Sequence, residues 1–307
     1  MIVTENLKRD FGELTAVENL NLNVSEGEIY GFLGPNGAGK TTTVRMLSCL
    51  ISITEGKAFV AGNEVGKNNT EIRKNTGLVT ENPGLYENLS AYMNLKFYAS
   101  LYEVPYSIQK KQIEKYLDML GLSERKNELV GKFSKGMKQK LAIAKALLHE
   151  PKVLFLDEPT ASLDPEASKI VRDFISSLKE EKRTIFLCTH NLDEAEKICD
   201  RIGIFNKTLI EEGSPAELKS KLFGQKVVFY LKKINDDIIS QLKSLNYIND
   251  VKISGNQLIV EIEKPKEKNP EIIRMIVNSG GEIVYVTKLK HSLEEVYFNL
   301  VKGKNNG

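Results

Sequence analysis

Apolar residues recur in two rhythms along the chain. Over roughly the first 220 residues, short β-branched runs alternate with stretches of helical period, which argues for an α/β sheet. Glu28–Gly34 reads as a strand that passes through a glycine-rich turn into a helix over Lys40–Leu50. Val153–Leu156 and Thr184–Thr189 are two more apolar runs, short enough for buried parallel strands, each followed by a turn and a helix. Between the first and second of these strands lies a mostly helical insertion, about residues 85–150. In it Ser90 is placed to cap a helix carrying Leu95, Tyr98 and Tyr102. Ile113, Tyr116, Leu117 and Leu120 form the apolar face of a second helix that stops at Gly121. Met137, Leu141, Ala144 and Leu148 line a third that starts at Ser134.

Beyond Phe223 the pattern changes. Lys226–Lys233 reads as a strand, Asp236–Leu245 as a helix, and Val251–Ser254 with Leu258–Glu263 as a hairpin around Gly255-Asn256. A helix at about 270–278 and a strand over Glu282–Lys288 complete a β-α-β-β-α-β order. Ser292 and Glu295 then make a capping box for a last helix to Leu300. The expected division is 1–222 for the α/β part and 225–307 for a small accessory α+β domain.

Composition narrows the picture. The 307 residues hold 43 Lys+Arg against 41 Asp+Glu, a net charge of +2, so no basic field invites nucleic acid. The longest stretch without a charged residue, Ile29–Gly39, has eleven residues, whereas a membrane helix needs about twenty. The N-terminal residues carry acids and no apolar segment of signal-peptide type, so none is expected. Cys49, Cys188 and Cys199 sit among apolar residues without metal-ligand spacing, which reads as buried, reduced thiols.

The uncharged stretch carries the chemistry. Gly34-Pro35-Asn36-Gly37-Ala38-Gly39-Lys40-Thr41 fits the phosphate-loop pattern and falls between a strand and a helix, as that pattern requires. Glycines let backbone N–H groups turn inward around a phosphate while the helix directs its positive end at the anion. Lys40 can then reach the β- and γ-phosphates, and the Thr41 hydroxyl can ligate Mg²⁺. An acidic strand end, Asp157-Glu158, follows 117 residues after Lys40. Asp157 suits the metal, and Glu158 suits orientation and deprotonation of an attacking water.

Other segments decide among phosphate-loop enzymes. Phe133-Ser134-Lys135-Gly136-Met137-Lys138-Gln139 precedes the acidic pair, Ser162-Leu163-Asp164-Pro165 follows it, and Thr189-His190 ends the next strand. This set, in this order, resembles the ATP-binding cassette (ABC) ATPases over about residues 1–222. The resemblance implies a P-loop NTPase cassette, with a parallel-sheet core and a helical subdomain, followed here by a ferredoxin-like α+β domain. It implies that Phe11 stacks on adenine and that the loop from Gly34 through Thr42 holds ATP. It further implies that Lys40, Glu158 and His190 serve catalysis and that Thr41, Glu81 and Asp157 serve Mg²⁺. Ser134 and Gly136 would act on ATP bound to a second ATPase subunit, and Asp164 would belong to a loop that communicates across that dimer.

Plainer roles stand beside these. Ser134 alone would be a helix cap, Phe11 alone a core residue, His149 and His291 surface residues, and Lys135, Lys138, Lys140 and Lys145 a solvated face. Two positions depart from the family pattern: Glu81 stands where a Gln is usual, and Lys135 where a Gly is usual. With a motor and no channel, the resemblance implies a subunit at the cytoplasmic face of the membrane that powers export through a separate transmembrane permease. The wording of the Ser134 segment and the α+β tail resemble the multidrug and antibiotic branch. An importer ATPase or a non-transport cassette ATPase is the alternative.

Overall fold

A computed structural model of the chain describes residues 1–80, 82–161, 163–289 and 291–302. The chain divides into two units, which part between Pro215 and Ala216.

The first unit begins with β1 (Ile2–Phe11), β2 (Leu14–Val24) and β3 (Ile29–Leu33), then α1 (Lys40–Leu47), β4 (Glu55–Val60), β5 (Asn63–Glu64), α2 (Asn69–Asn75) and β6 (Thr76–Val79). Three helices follow, α3 (Ala91–Leu101), α4 (Tyr106–Met119) and α5 (Lys135–Leu147). The chain continues through β7 (Val153–Asp157), α6 (Pro165–Ser177), β8 (Thr184–Thr189), α7 (Leu192–Ile198), β9 (Arg201–Asn206) and β10 (Thr208–Gly213), and α8 (Pro215–Phe223) leads into the second unit.

Two sheets result, an antiparallel one in the order β2-β1-β4-β5 and a six-stranded one in the order β10-β9-β3-β8-β7-β6. In the larger sheet β6, β7, β8, β3 and β9 are parallel, and β10 returns antiparallel on the edge. Every residue of β3, β7 and β8 is buried, which is why these strands read as unbroken apolar runs rather than alternations. One core draws Val17, Leu20 and Val60 from the antiparallel sheet, Val44 and Leu47 from α1, and Phe32, Phe155 and Phe186 from the parallel strands. Phe32 packs at 4.4 Å from Phe205 and 5.1 Å from Phe186, ring centre to ring centre.

The helical insertion runs from the end of β6 to the start of β7, yet these two strands are neighbours, with Thr76 paired to Val153. Its helices start where polar caps stand. Ser90 Oγ accepts the Met93 N–H and Ser134 Oγ the Met137 N–H, each at 3.2 Å. The far end of α5 lies so close to β6 that a Cβ on Gly77 would stand 2.3 Å from the Ala146 carbonyl oxygen. Lys145, expected in solvent, is instead half-buried on α5. Its ammonium donates to the Pro83 carbonyl at 2.5 Å and lies 4.8 Å from the centre of the Tyr98 ring. Burial holds it down at about 8. The Tyr98 hydroxyl donates to the Gly84 carbonyl at 2.5 Å, so two helices grip one turn. His149 also departs from the surface reading. It packs 4.3 Å from Tyr102, its Nε2 lies 3.0 Å from the Thr76 carbonyl, and burial lowers its pKa.

The second unit contains β11 (Lys226–Leu231), α9 (Asp236–Lys243), β12 (Ile248–Ser254), β13 (Gln257–Ile262), α10 (Pro265–Asn278), β14 (Ile283–Lys288) and α11 (Leu293–Lys302). Its sheet is antiparallel, in the order β12-β13-β11-β14. Val227, Phe229 and Leu231 alternate along β11 onto one face and meet Ile238 and Leu242 of α9 and Ile272 and Ile276 of α10. His291 is not a free surface group, since it stacks 4.0 Å from Phe223 and bonds Glu295 at 2.6 Å.

Boundaries moved in places. The first helix stops at Leu47, not Leu50, because Cys49 turns into the left-handed region with φ 59°. Strand β12 starts three residues earlier than expected, and α10 starts at Pro265, whose fixed φ suits a first helical turn. Cys49, Cys188 and Cys199 are free and buried.

Candidate active site

Strands β3, β8 and β7 lie side by side and parallel, so their C-terminal ends open on one edge, where open α/β sheets bind ligands. Register places Leu33 opposite Thr189 and Asp157 opposite Cys188. The glycine-rich loop, the acidic pair and His190 thus leave the sheet within one small area.

The loop is shaped by glycine at Gly39. Its φ is 100°, and an added Cβ would stand 2.2 Å from the Ala16 carbonyl oxygen. Gly39 is also the residue before α1, and no side chain caps that helix start among the described residues. An uncapped helix N-terminus behind a glycine loop is a place for an anion. Lys40 is buried, and its ammonium donates to the carbonyls of Gly34 at 2.7 Å and Pro35 at 3.1 Å. Weak carbonyl partners leave it ready to exchange them for phosphate oxygens.

The Thr41 hydroxyl donates to Asp157 Oδ2 at 2.7 Å. This hydroxyl–carboxylate pair is the short donor set that suits Mg²⁺, which keeps several waters and takes further oxygens from the substrate phosphates. No cluster of three His, Cys, Asp or Glu side chains able to hold a metal occurs among the described residues. Glu81, expected as a third metal group, lies outside the described residues.

Glu158 carries backbone strain. Its φ is 52°, in the left-handed region, and its N–H donates to the Cys188 carbonyl at 2.9 Å. His190 Nδ1 donates to Glu158 Oε1 at 2.8 Å, and the Thr189 hydroxyl donates to Oε2 at 3.2 Å. The carboxylate is therefore aimed by one donor on each oxygen, with lone pairs left for a water. Thr189 was missed in the sequence; its position next to His190 at a strand end was the available signal.

A cavity of about 330 Å³ joins these groups, lined by Phe11, Leu14 and Ala16 on one side, Pro35 through Thr42 at its base, and Asp157 and Glu158. Its volume suits a small ligand. Phe11 is 45% exposed with the Arg9 guanidinium 4.4 Å from its ring centre, so it is a rim residue and not part of the core.

Two family models match the chain, ABC transporter over residues 17–161 and the C-terminal domain of DrrA1-3-like ATP-binding proteins over residues 213–301. The bacitracin transport ATP-binding protein of Bacillus licheniformis is 37% identical over 100% of this chain and 99% of its own length. The chain belongs to the ABC transporter ATP-binding proteins. The linearmycin resistance ATP-binding protein of Bacillus subtilis is 34% identical, over 98% of both chains. Among solved structures, an ATP-binding subunit of an ABC transporter matches with TM-score 0.67 and 27% identity over 73% of this chain and 94% of its own. A dimeric cassette in a post-hydrolysis state bound to ADP and phosphate matches with TM-score 0.64 and 26% identity, over 70% and 98%.

This ABC protein is an ATPase and binds nucleotide. Its remaining motifs lie apart from the cavity. Ser134 and Gly136 open α5 on the helical insertion and are absent from the cavity lining, and an added Cβ on Gly136 would meet Ala167 and Leu163. Lys135 is exposed and lines a second cavity of about 380 Å³, which meets the first at Glu158. Asp164 caps α6, its Oδ1 accepting the Ala167 N–H at 2.8 Å. No helix among the described residues is long and apolar enough to cross a membrane.

Proposed function

We propose that this chain hydrolyses Mg²⁺-ATP at the ends of β3, β7 and β8 and thereby drives export through a separate membrane-spanning partner. The observation that carries the reading is the convergence of Lys40, Thr41, Asp157 and Glu158 on one cavity, with His190 bonded to Glu158. The N–H groups of the Gly34–Thr42 loop and Lys40 hold the phosphates, and Phe11 on the opposite rim takes the adenine face. Thr41 and Asp157 would hold Mg²⁺, which supplies charge neutralisation on the phosphates when bound. Glu158, aimed by His190 and Thr189, orients a water and takes its proton as the water oxygen bonds to the γ-phosphorus. The bond to the β,γ-bridging oxygen breaks, releasing ADP and phosphate.

Ser134 is exposed at the start of α5 and lies outside the lining of this chain's own cavity, with Gly136 buried in the turn behind it, which suits a role on ATP held by a second ATPase subunit. The positive end of a helix dipole is then offered to that phosphate by the start of α5, where Ser134 is the cap. Relatives named for bacitracin transport and linearmycin resistance support a cargo of antibiotic class and a place for this chain at the cytoplasmic face of a membrane.

Glu158→Gln tests the reading. Its amide still meets His190 and Thr189 but accepts no proton, so turnover should fall about 100-fold or more while ATP binding stays within a few-fold. ATP-loaded dimer should accumulate on a sizing column. Wild-type turnover in this variant would contradict the assignment.

A further inference from the structure

A second link ties together the loops that leave β7 and β8. Thr160 follows Glu158 by two residues, and Glu194 follows His190 by four, in the first turn of α7. The Thr160 hydroxyl donates to Glu194 Oε2 at 2.5 Å. Glu194 is only 2% exposed, and its Oε1 is buried with no hydrogen-bond partner among the described residues. Such a carboxyl is costly to keep, since burial disfavours its charge and one acceptor goes unused. Burial raises its pKa, opposed by the Thr160 hydrogen bond and the Arg172 charge, with Glu158 and His190 acting on it in opposite senses. The helix start around it offers partial compensation, with Asn191 Oδ1 accepting the Glu194 N–H at 3.1 Å.

The geometry forms a closed ring. Glu158 is joined to His190 through side chains, His190 to Glu194 along the start of α7, Glu194 to Thr160 through side chains, and Thr160 back to Glu158 through Pro159. Within this ring stands the left-handed backbone of Glu158, a conformation that persists only where its surroundings fix it from several sides. We propose that Glu194, acting through Thr160, is a positioning residue that holds the strained turn at Glu158 and so keeps its carboxylate aimed for water activation. This rests on the reading of Glu158 given above.

The experiment compares steady-state ATP hydrolysis by the full chain in Thr160→Val, Thr160→Ser, Glu194→Ala and Glu194→Gln, with Glu158→Gln in parallel. Thr160→Val keeps the volume and removes the donor, so it is the primary variant. We expect kcat about 10- to 100-fold lower, the loss that a small misplacement of a catalytic group causes, with KM for ATP within about three-fold. Thr160→Ser and Glu194→Gln keep a donor and an acceptor and should recover kcat to within about three-fold. The Thr160→Val/Glu194→Ala pair should lose no more than the worse single variant, because both remove one link. Turnover in Thr160→Val close to wild type, a change confined to KM, or failure of Thr160→Ser to recover kcat would overturn the proposal while Glu158→Gln remains inactive. Full turnover in Glu158→Gln would overturn it together with the reading of the site.

Discussion

Lys145→Met is expected to stabilise the first unit at neutral pH and to lose that advantage in base. The ammonium of Lys145 is held near 8 by burial, against 10.5 for an ordinary lysine. At 1.36 kcal/mol per pKa unit, keeping it charged costs about 3 kcal/mol relative to its neutral form. Methionine keeps most of the apolar stem and carries no charge. Two losses offset part of the gain. The Pro83 carbonyl gives up a donor, worth about 1 kcal/mol, and the Tyr98 ring gives up its cation, worth about 0.5–1 kcal/mol. The net gain at pH 7 is about 1–2 kcal/mol.

The pH dependence isolates the cause. Below pH 8 the lysine is charged whether folded or not, and the full cost is present. Between pH 8 and 10.5 the unfolded chain keeps a proton that the folded one has released, so wild-type stability rises against the variant with increasing pH. By pH 10 the difference should have shrunk by about 2–3 kcal/mol, enough to cancel or reverse its sign. The chain has no Trp, so circular dichroism in guanidinium is the natural readout, taken on the transition that ATP shifts upward. A difference that stays flat from pH 7 to 10, or a variant less stable than wild type at pH 7, would refute the reasoning.

Two further expectations follow from backbone and cap geometry. Gly39→Ala forces a Cβ to within 2.2 Å of a backbone oxygen at φ 100°, so the loop must shift. Nucleotide affinity by calorimetry should fall about ten-fold or more, equal to about 1.4 kcal/mol. Asp164→Ala removes the cap on α6 and should cost about 1 kcal/mol in the same guanidinium transition, while Asp164→Asn, which still accepts from Ala167, should cost little.

The chemistry at the strand ends was legible because it is local. A glycine loop between strand and helix, and an acidic pair at the end of an apolar run, declare themselves within ten residues. The antiparallel sheet was not read at all. Strands β1 and β2 pair with repeated register shifts, and Asn6 and Asn19 turn into the left-handed region at φ 47°, so the two-residue alternation breaks before it becomes a signal. The Thr160–Glu194 link is invisible for another reason: its ends lie 34 residues apart and meet only once β7 and β8 are neighbours. Lys145 was readable and misread. It stands four residues after Leu141 and three before Leu148, on the same helical stripe, and its charge outweighed the periodicity. His149 failed similarly, because its partner carbonyl at Thr76 belongs to a strand far away in sequence.

That β6 and β7 are adjacent, although the whole helical insertion separates them along the chain, gives the insertion one covalent root, steadied by the Lys115–Glu181 ion pair and by the packing of Gly136 near Ala167 and Leu163. Both of its attachments fall at one place, and α5 extends from there to Ser134. A thirteen-residue helix is about 20 Å long, so a tilt of about 10° at the root would sweep the tip through about 3 Å. Displacements at the root of well under an ångström would thus be magnified at the end that carries Ser134 and Gly136, and taken up where Gly136 meets Ala167 and Leu163. The same leverage runs in reverse, with a load on the tip delivered as torque to the strand that ends in Asp157.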